Sequence, residues 1–74
     1  MMQGKLFYDR SCGRYNFYYM DEGIEMDYEG IHCGEVFEFK VNGVWVPARV
    51  EICDDWYLVG LPGVKLEGME VRRR

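Results

Sequence analysis

The stretch FEFKVNGVWVPARVEI, from Phe37 to Ile52, predicts a β-hairpin. Asn42-Gly43 near its centre is a preferred pair for a type I′ turn, in which both central residues have positive φ. Apolar and polar residues alternate on either side of the turn, as they do in strands with one buried face. A two-residue turn then sets three apolar pairs on that face: Val41 with Val44, Phe39 with Val46, and Phe37 with Ala48. The turn and the alternation require the same register, so we predict the rest of the fold around this hairpin.

The opposite face of the hairpin carries residues suited to binding. Lys40 lies opposite Trp45, which predicts an exposed cation–π contact. Pro47 and Arg49 project from the same side, and Trp and Arg are residue types enriched at binding hot spots. With Trp56 from the following strand, Lys40, Trp45, Pro47 and Arg49 form the predicted binding surface.

Pro47 also constrains the backbone, because it has no N–H to donate to a sheet ladder. Its nitrogen is expected to point away from the partner strand or to lie at a bulge. A bulge or bend midway along a long strand is one way in which a small sheet curls into a barrel.

Further short strands are predicted on both sides of the hairpin. Turn residues separate them, and the single alanine argues against long helices. Five or six short antiparallel strands in 74 residues predict an all-β fold: one domain, residues 1–74, folded as a small SH3-like, partly open barrel. The OB barrel is the alternative, but it usually needs a longer chain. The flanking strands are expected at Lys5–Tyr8, Arg14–Tyr19, Trp56–Gly60 and Met69–Arg72, and Met20–Glu29 is expected to be a loop, with some extended structure as the alternative.

Charge and composition exclude several function classes. The formal net charge of −4 argues against a strong nonspecific grip on nucleic acid or anionic membrane. The acidic run Asp21–Glu29 and the basic tail Arg72–Arg74 are interpreted as solvated surface. No apolar stretch approaches the ~20 residues that cross a bilayer, and no signal segment opens the chain, so a cytoplasmic protein with reduced thiols is expected. A glycine-rich phosphate-binding motif is absent, and no cofactor is expected.

GIHCGE, residues 30–35, places the single histidine beside one of the three cysteines. Structural zinc sites usually bring their ligands in as close pairs, whereas these cysteines are about twenty residues apart. Neighbours in a strand point to opposite faces, so a cysteine nucleophile with the adjacent histidine as base is disfavoured as well. The zinc ligands would be Cys12, His32, Cys33 and Cys53, and we predict neither a metal site nor catalysis from them.

A structural interpretation of GIHCGE is therefore preferred. Gly30 and Gly34 permit a tight entry into the strand that begins near Phe37. Ile31 and Cys33 are expected to face the core, where cysteine behaves as a small hydrophobe.

The stretch RYNFYY, residues 14–19, holds four aromatic rings in five positions. In a strand, these rings would occupy both faces. Some of them could line a shallow groove, which small barrels use for Pro-rich peptides or for stacking nucleobases. The alternative is that a tiny domain needs the rings to cover its core.

Four motifs occur in order along nearly the whole chain: GKLFYDRSCGRYNF, GIHCGE, VNGVWVPARVE and DWYLVG. Together they resemble the small bacterial domain-of-unknown-function family 5348, SH3-like β domains mainly of Gram-positive bacteria and their mobile elements. The resemblance implies a compact β domain and supplies no activity, substrate or catalytic residue. The matching positions include Gly30, His32, Cys33, Gly34, Glu35, Trp45, Pro47, Arg49, Trp56 and Gly60.

The predicted function is binding without catalysis, by a small cytoplasmic adaptor that captures a protein partner and is a monomer or a weak homodimer. Nucleic-acid binding is the first alternative, with rings stacking on bases and Arg72–Arg74 at phosphates, although the net acidity disfavours it. The second alternative is an acidic, mobile-element-encoded inhibitor. It would use Asp21–Glu29 to occupy the nucleic-acid-binding site of a host enzyme.

Overall fold

Nine short β-strands and no helix make up the structure, a computed structural model that describes residues 1–74. All paired strands are antiparallel, and the all-β prediction is confirmed. A helix able to cross a membrane is therefore absent. The strands are β1 (Met2–Lys5), β2 (Phe7–Asp9), β3 (Arg14–Asn16), β4 (Tyr18–Asp21), β5 (Ile24–Asp27), β6 (Val36–Val41), β7 (Val44–Cys53), β8 (Asp55–Leu58) and β9 (Glu70–Arg73).

One five-stranded sheet carries most of the fold. Its strand order is β1-β9-β6-β7-β8, so β9 lies between the first strand and the central hairpin. β2 with β3 and β4 with β5 form two further sheets of two strands each. No sheet closes on itself, which agrees with the predicted partly open arrangement. The likeness to SH3 barrels stays a prediction.

The strand count is nine, not five or six, because two of the predicted strands break at buried residues and a further strand, β5, forms in the segment predicted as a loop. Lys5–Tyr8 is interrupted at Leu6, which is 3% exposed and whose backbone hydrogen-bonds to the loop before β9. Arg14–Tyr19 is interrupted at the fully buried Phe17, whose carbonyl accepts a hydrogen bond from the Tyr28 N–H at 3.1 Å. At each break the chain passes from one sheet to another.

The central hairpin of β6 and β7 has the predicted register. Asn42 and Gly43 have φ of 50° and 80°, and the three predicted apolar pairs form. Pro47 lies opposite Glu38 in an uninterrupted ladder, so the hairpin contains no bulge. Next to a two-residue turn the first residue pair is hydrogen-bonded, and beyond it non-hydrogen-bonded and hydrogen-bonded pairs alternate. Glu38 and Pro47 form a non-hydrogen-bonded pair, so the Pro47 nitrogen points away from β6. β8 begins its pairing only at Val50, so no strand requires a donor from Pro47.

One hydrophobic core is built from the inner face of the five-stranded sheet and from residues outside it. Phe17 stacks on Tyr28 with ring centroids 4.8 Å apart and meets Phe37 edge-on at 5.8 Å. Aromatic rings thus supply much of the core volume. Of the rings in RYNFYY, Phe17 is buried and Tyr15 and Tyr19 pack against the core, whereas Tyr18 is exposed. The buried apolar residues are Leu6, Phe17, Ile31, Phe37, Phe39, Ala48, Val50, Leu58, Leu66 and Val71.

Asn16 is the polar side chain buried with this core. Its Nδ2 donates to Asp27 Oδ1 at 2.7 Å and to Asp9 Oδ2 at 3.2 Å, and its Oδ1 accepts the Gly30 N–H at 2.9 Å. Hydrogen bonds from Ser11, and a smaller contribution from Asn16, hold the pKa of Asp9 below its ordinary value. Asn16 therefore ties three separate segments together through two carboxylates and one backbone amide.

β1 and β4 approach each other closely at Gly4. A Cβ placed on Gly4 would lie 2.2 Å from the Tyr18 carbonyl oxygen and 3.2 Å from the Phe17 ring. Glycine allows this contact because it has no side chain between the two backbones.

The acidic segment, predicted mainly as a loop, is a β-hairpin of β4 and β5. Its turn is Glu22-Gly23, with φ of 50° and 79°. A glutamate in the left-handed region is uncommon, so the pair Glu-Gly did not signal this turn as Asn-Gly signalled the other.

Candidate functional site

The five-stranded sheet presents one face to solvent, opposite the core, and we call it the outer face. Strand alternation places side chains from three neighbouring strands on it. Charged residues cover most of this face, and one tryptophan lies among them. The residues that define the outer face are Glu38 and Lys40 of β6, Trp45, Pro47, Arg49 and Glu51 of β7, and Glu70 and Arg72 of β9.

Trp45 lies beneath two cations on the outer face. The Arg72 guanidinium carbon is 4.2 Å from the centroid of the indole ring, and Lys40 Nζ is 5.8 Å from it. The predicted contact between Lys40 and Trp45 is therefore present, and Arg72 makes a closer one. Arg72 Nε also donates to Glu38 Oε1 at 2.9 Å, which holds the guanidinium in place over the ring.

Ion pairs balance the remaining charges of the outer face. Lys40 Nζ is 3.7 Å from Glu70 Oε2, and Arg49 Nε is 2.8 Å from Glu51 Oε2. Exposed pairs of this kind contribute little to stability, typically below ~1 kcal/mol. The outer face therefore presents charges of both signs.

Trp56 does not belong to the outer face, which corrects the predicted binding surface. It pairs with Ile52, two residues from the buried pair of Val50 and Leu58, and so lies on the inner side of the sheet. There it packs at the margin of the core, with its ring 6.4 Å from that of Tyr15. The structure brings Lys40, Trp45, Pro47 and Arg49 together and leaves Trp56 on the opposite side.

The interpretation of Arg72–Arg74 as a solvated tail is wrong for its first two residues. Both are half-buried in β9, where alternation places Arg72 on the outer face and Arg73 on the inner one. Arg73 lies 4.2 Å from the Phe37 ring centroid and donates to Glu35 Oε1 at 3.1 Å. Its other terminal nitrogen donates to the Tyr28 hydroxyl oxygen. Arg73 therefore closes one end of the core.

A shallow hollow of ≈ 290 Å³ opens beside the outer face. The ladder between β6 and β9 ends at Glu38 and Arg72, and beyond that pair the two strands diverge. Pro47 belongs both to this hollow and to the outer face, so the two form one continuous surface. The residues that line the hollow are Val36, Phe37, Glu38, Pro47, Arg72, Arg73 and Arg74.

Glu35 links the GIHCGE turn to Arg73. Partial burial acts to raise the pKa of Glu35, but hydrogen bonds from the His32 N–H, the Tyr28 hydroxyl and Arg73 together lower it below its ordinary value. Burial raises the pKa of Tyr28 to about 12, and the hydrogen bond that its hydroxyl donates to Glu35 acts in the same direction. The cluster thus holds an ionised carboxylate beside a neutral phenol.

Stability is expected to fall at alkaline pH because of Tyr28. Its unfolded form loses a proton near 10, whereas the folded form keeps the proton until about 12. The unfolded state therefore binds fewer protons between these values, and the free energy of unfolding decreases as pH rises through that window. Denaturant midpoints measured across the window should show this loss, and Tyr28→Phe should reduce it.

Tyr57→Phe is the matched control, since Tyr57 is an exposed tyrosine on β8. It should retain the alkaline loss. An alkaline loss of equal size in the Tyr28 variant would show that another group is responsible.

GIHCGE forms a turn that extends the sheet, as expected. The Gly34 N–H donates to the Val50 carbonyl at 2.8 Å, and the Val50 N–H donates to the Glu35 carbonyl at 2.9 Å. Ile31 is buried as predicted, but Cys33 is exposed and does not face the core. No group of three or more His, Cys, Asp or Glu side chains comes together in a way that could hold a metal ion.

Two residues with central roles were missed: Tyr28 was not predicted as part of any site, and Arg72 was predicted only as a phosphate contact of the nucleic-acid alternative, not as part of the surface around Trp45. Arg72 and Arg73 directly follow the apolar Val71 in a predicted strand, and this order could have placed Arg73 on the same face as Val71 and Arg72 on the opposite face. No local signal points to Tyr28, whose partners Glu35 and Arg73 are 7 and 45 residues away in the chain.

Comparison with known proteins gives one family and one solved relative. The family model for a domain of unknown function (DUF5348) matches residues 4–73. A crystal structure of a protein from Ruminococcus gnavus, solved as a target of the Northeast Structural Genomics Consortium, is similar at 51% identity and a TM-score of 0.80. The match covers 96% of this chain and 99% of that one. No curated protein matches.

Proposed function

The chain belongs to the DUF5348 family, in agreement with the resemblance of its motifs, and because that membership carries no activity we propose a function from its surface chemistry. The protein is a small cytoplasmic binding module without catalysis, and it captures a protein partner on the outer face of its sheet. The observation that carries this proposal is Trp45, which lies beneath Arg72 and Lys40 and beside the exposed Pro47 and Arg49.

Three properties of the outer face support a protein partner. Trp and Arg are enriched among the residues that contribute most to protein–protein binding. A sheet holds such side chains on a rigid support, so little conformational freedom is lost on binding. The hollow next to Pro47 and Arg72 gives the flat face a concave margin that a partner's side chain can enter.

Arg49→Ala and Trp45→Ala are each expected to weaken partner capture by roughly tenfold or more. Arg49 is exposed, so its replacement should leave the fold unchanged, while Trp45 is half-buried and its variant needs a check of thermal stability. Arg10→Ala and Tyr8→Ala are the matched controls, because both residues are exposed and lie away from the outer face. Normal capture by both folded outer-face variants would exclude this surface.

The partner itself is sought with the tagged protein in a lysate of its host, divided into nuclease-treated and untreated halves. Mass spectrometry of both halves separates a protein partner, which survives nuclease, from contacts that nucleic acid bridges.

The nucleic-acid alternative draws on the three arginines that line the hollow. Arg72 and Arg73 already donate to Glu38 and Glu35, so Arg74 is the arginine there without a carboxylate partner. Phosphate binding would compete with both ion pairs, which weakens this alternative. Its signature is binding of single strands that falls steeply with salt.

A further inference from the structure

Strand β5 has an open edge. It belongs to a sheet of two strands, so β4 is its single neighbour. Asp21 and Ile24 flank the two-residue turn and form a hydrogen-bonded pair, and hydrogen-bonded and non-hydrogen-bonded pairs alternate from there. Glu25 and Asp27 belong to non-hydrogen-bonded pairs, so their N–H and C=O groups point away from β4. The hydrogen bond from the Tyr28 N–H to the Phe17 carbonyl continues the same alternation. Unpaired groups of this kind are a template for an added strand.

The side chains of β5 sort by chemistry onto its two faces. Ile24 and Met26 are 63% and 38% exposed, and they share a face with Tyr19, which packs against the core. Glu25 and Asp27 lie on the other face. A strand added along β5 would therefore meet apolar side chains on one of its faces and carboxylates on the other.

The charged residues in and around β5 are all negative. Between Tyr15 and Ile31 the sequence has five carboxylates and no Lys, Arg or His, which gives this segment −5 while the whole chain carries −4. None of these carboxylates takes part in an ion pair, although Lys and Arg residues elsewhere in the chain bind carboxylates or stack on aromatic rings. The five residues are Asp21, Glu22, Glu25, Asp27 and Glu29.

A second copy of the chain does not suit this edge, because two acidic hairpins side by side would repel each other. The edge strand β8 behaves differently. Its Trp56 N–H is bound by the Asp55 carboxylate at 2.8 Å, and its Leu58 carbonyl accepts the Leu61 N–H at 3.1 Å. The outward groups of β8 are thus partly occupied from within the chain, while those of β5 stay open.

We propose that β5 accepts an extended segment of a partner protein as an added strand, whose side chains alternate between basic and apolar. Basic residues lie opposite Glu25 and Asp27, and apolar residues pack on Ile24 and Met26. Main-chain hydrogen bonds supply affinity in this mode of recognition, and the alternating side chains supply specificity. This is a second binding surface, separate from the outer face.

The test uses a short blocked peptide of alternating lysine and valine and amide NMR spectra of the isotope-labelled full chain. On binding, the Glu25 and Asp27 amides are expected to shift and to exchange their hydrogens at least ~10-fold more slowly. A peptide N-methylated on the amides that face β5 is expected to bind at least ~10-fold more weakly, because it can no longer donate those backbone hydrogen bonds.

Two variants separate hydrogen bonding from charge. Glu25→Pro removes an N–H that does not pair with β4, so it should abolish the slowed exchange. Glu25→Gln keeps the N–H and removes only the charge, so it should weaken binding mainly at low salt. Trp45→Ala should bind the peptide normally. A failure of the outer face as a binding site can therefore be distinguished from a failure of strand addition at β5. Absence of binding, equal binding of the N-methylated peptide, or shifts without slowed exchange would each overturn the proposal.

Discussion

Replacing Asn16 by alanine is expected to remove about 3 kcal/mol of stability. Two hydrogen bonds to carboxylates are lost, and the Gly30 N–H is left buried without its acceptor. A 74-residue domain has a total free energy of unfolding of about 4–11 kcal/mol, so this loss leaves a small margin. Denaturant unfolding followed by fluorescence measures the change directly.

Asn16→Asp is the sharper version of the experiment. The shape and the acceptor for Gly30 are kept, but a third carboxylate is buried between Asp9 and Asp27. Burial and like charge raise the pKa of such a group in the folded state. The ionised carboxylate therefore lowers the free energy of unfolding by its full amount only above that raised pKa. This loss of stability disappears below about pH 3.9, the ordinary pKa of aspartate, because the group is then protonated in both the folded and the unfolded state. The aspartate variant should therefore approach the wild type in acid, whereas the alanine variant should not.

A different pattern would contradict this role for Asn16. If both variants lost equal stability at all pH values, cavity formation rather than polar contact would explain the loss. If neither lost more than about 0.5 kcal/mol, the tie between the three segments would be unimportant.

Gly4→Ala is expected to cost roughly 2–3 kcal/mol, which is large for the addition of one methyl group. The new Cβ would lie 2.2 Å from the Tyr18 carbonyl oxygen, and this neighbour is backbone, which cannot rotate away. β1 and β4 must therefore separate, and the core contact of Phe17 beside them is disturbed. Thermal and denaturant unfolding both report the change.

Lys5→Ala is the control for Gly4→Ala, because Lys5 is the exposed next residue of the same strand. It should change stability by less than about 0.5 kcal/mol. Equal stability of wild type and Gly4→Ala would mean that β1 and β4 do not approach as closely as described.

The parts of the fold that depend on local chemistry could be predicted from the sequence. The Asn42-Gly43 turn and the alternation around it determine the register of β6 and β7 without any distant residue. The contact of Lys40 with Trp45 followed from that register. The β4–β5 hairpin was missed because Glu22 takes a left-handed conformation that glutamate seldom adopts.

The parts that depend on distant partners could not be predicted. Trp56 was placed on the wrong face because its orientation depends on how β8 pairs with β7 after a turn at Asp54, which has φ of 62°. Arg72 and Arg73 were taken as solvated because Glu38 and Glu35, which bind them, are 34 and 38 residues away in the chain. Asn16 gave no signal because its partners, Asp9 in one segment and Asp27 and Gly30 in another, are 7 to 14 residues away in the chain.

The position of β9 has a consequence for how the protein is made. β1 pairs with β9 from Met2–Arg73 to Lys5–Glu70, and β9 in turn joins β6. A ribosome releases the first strand long before its only partner in this sheet has been synthesised. The hairpin of β6 and β7 and the adjoining β8 are adjacent in sequence and can form early, whereas β1 must remain unpaired until residues 70–73 emerge. The sheet is thus completed only after β9 is available, and until then β1 has no strand partner in it.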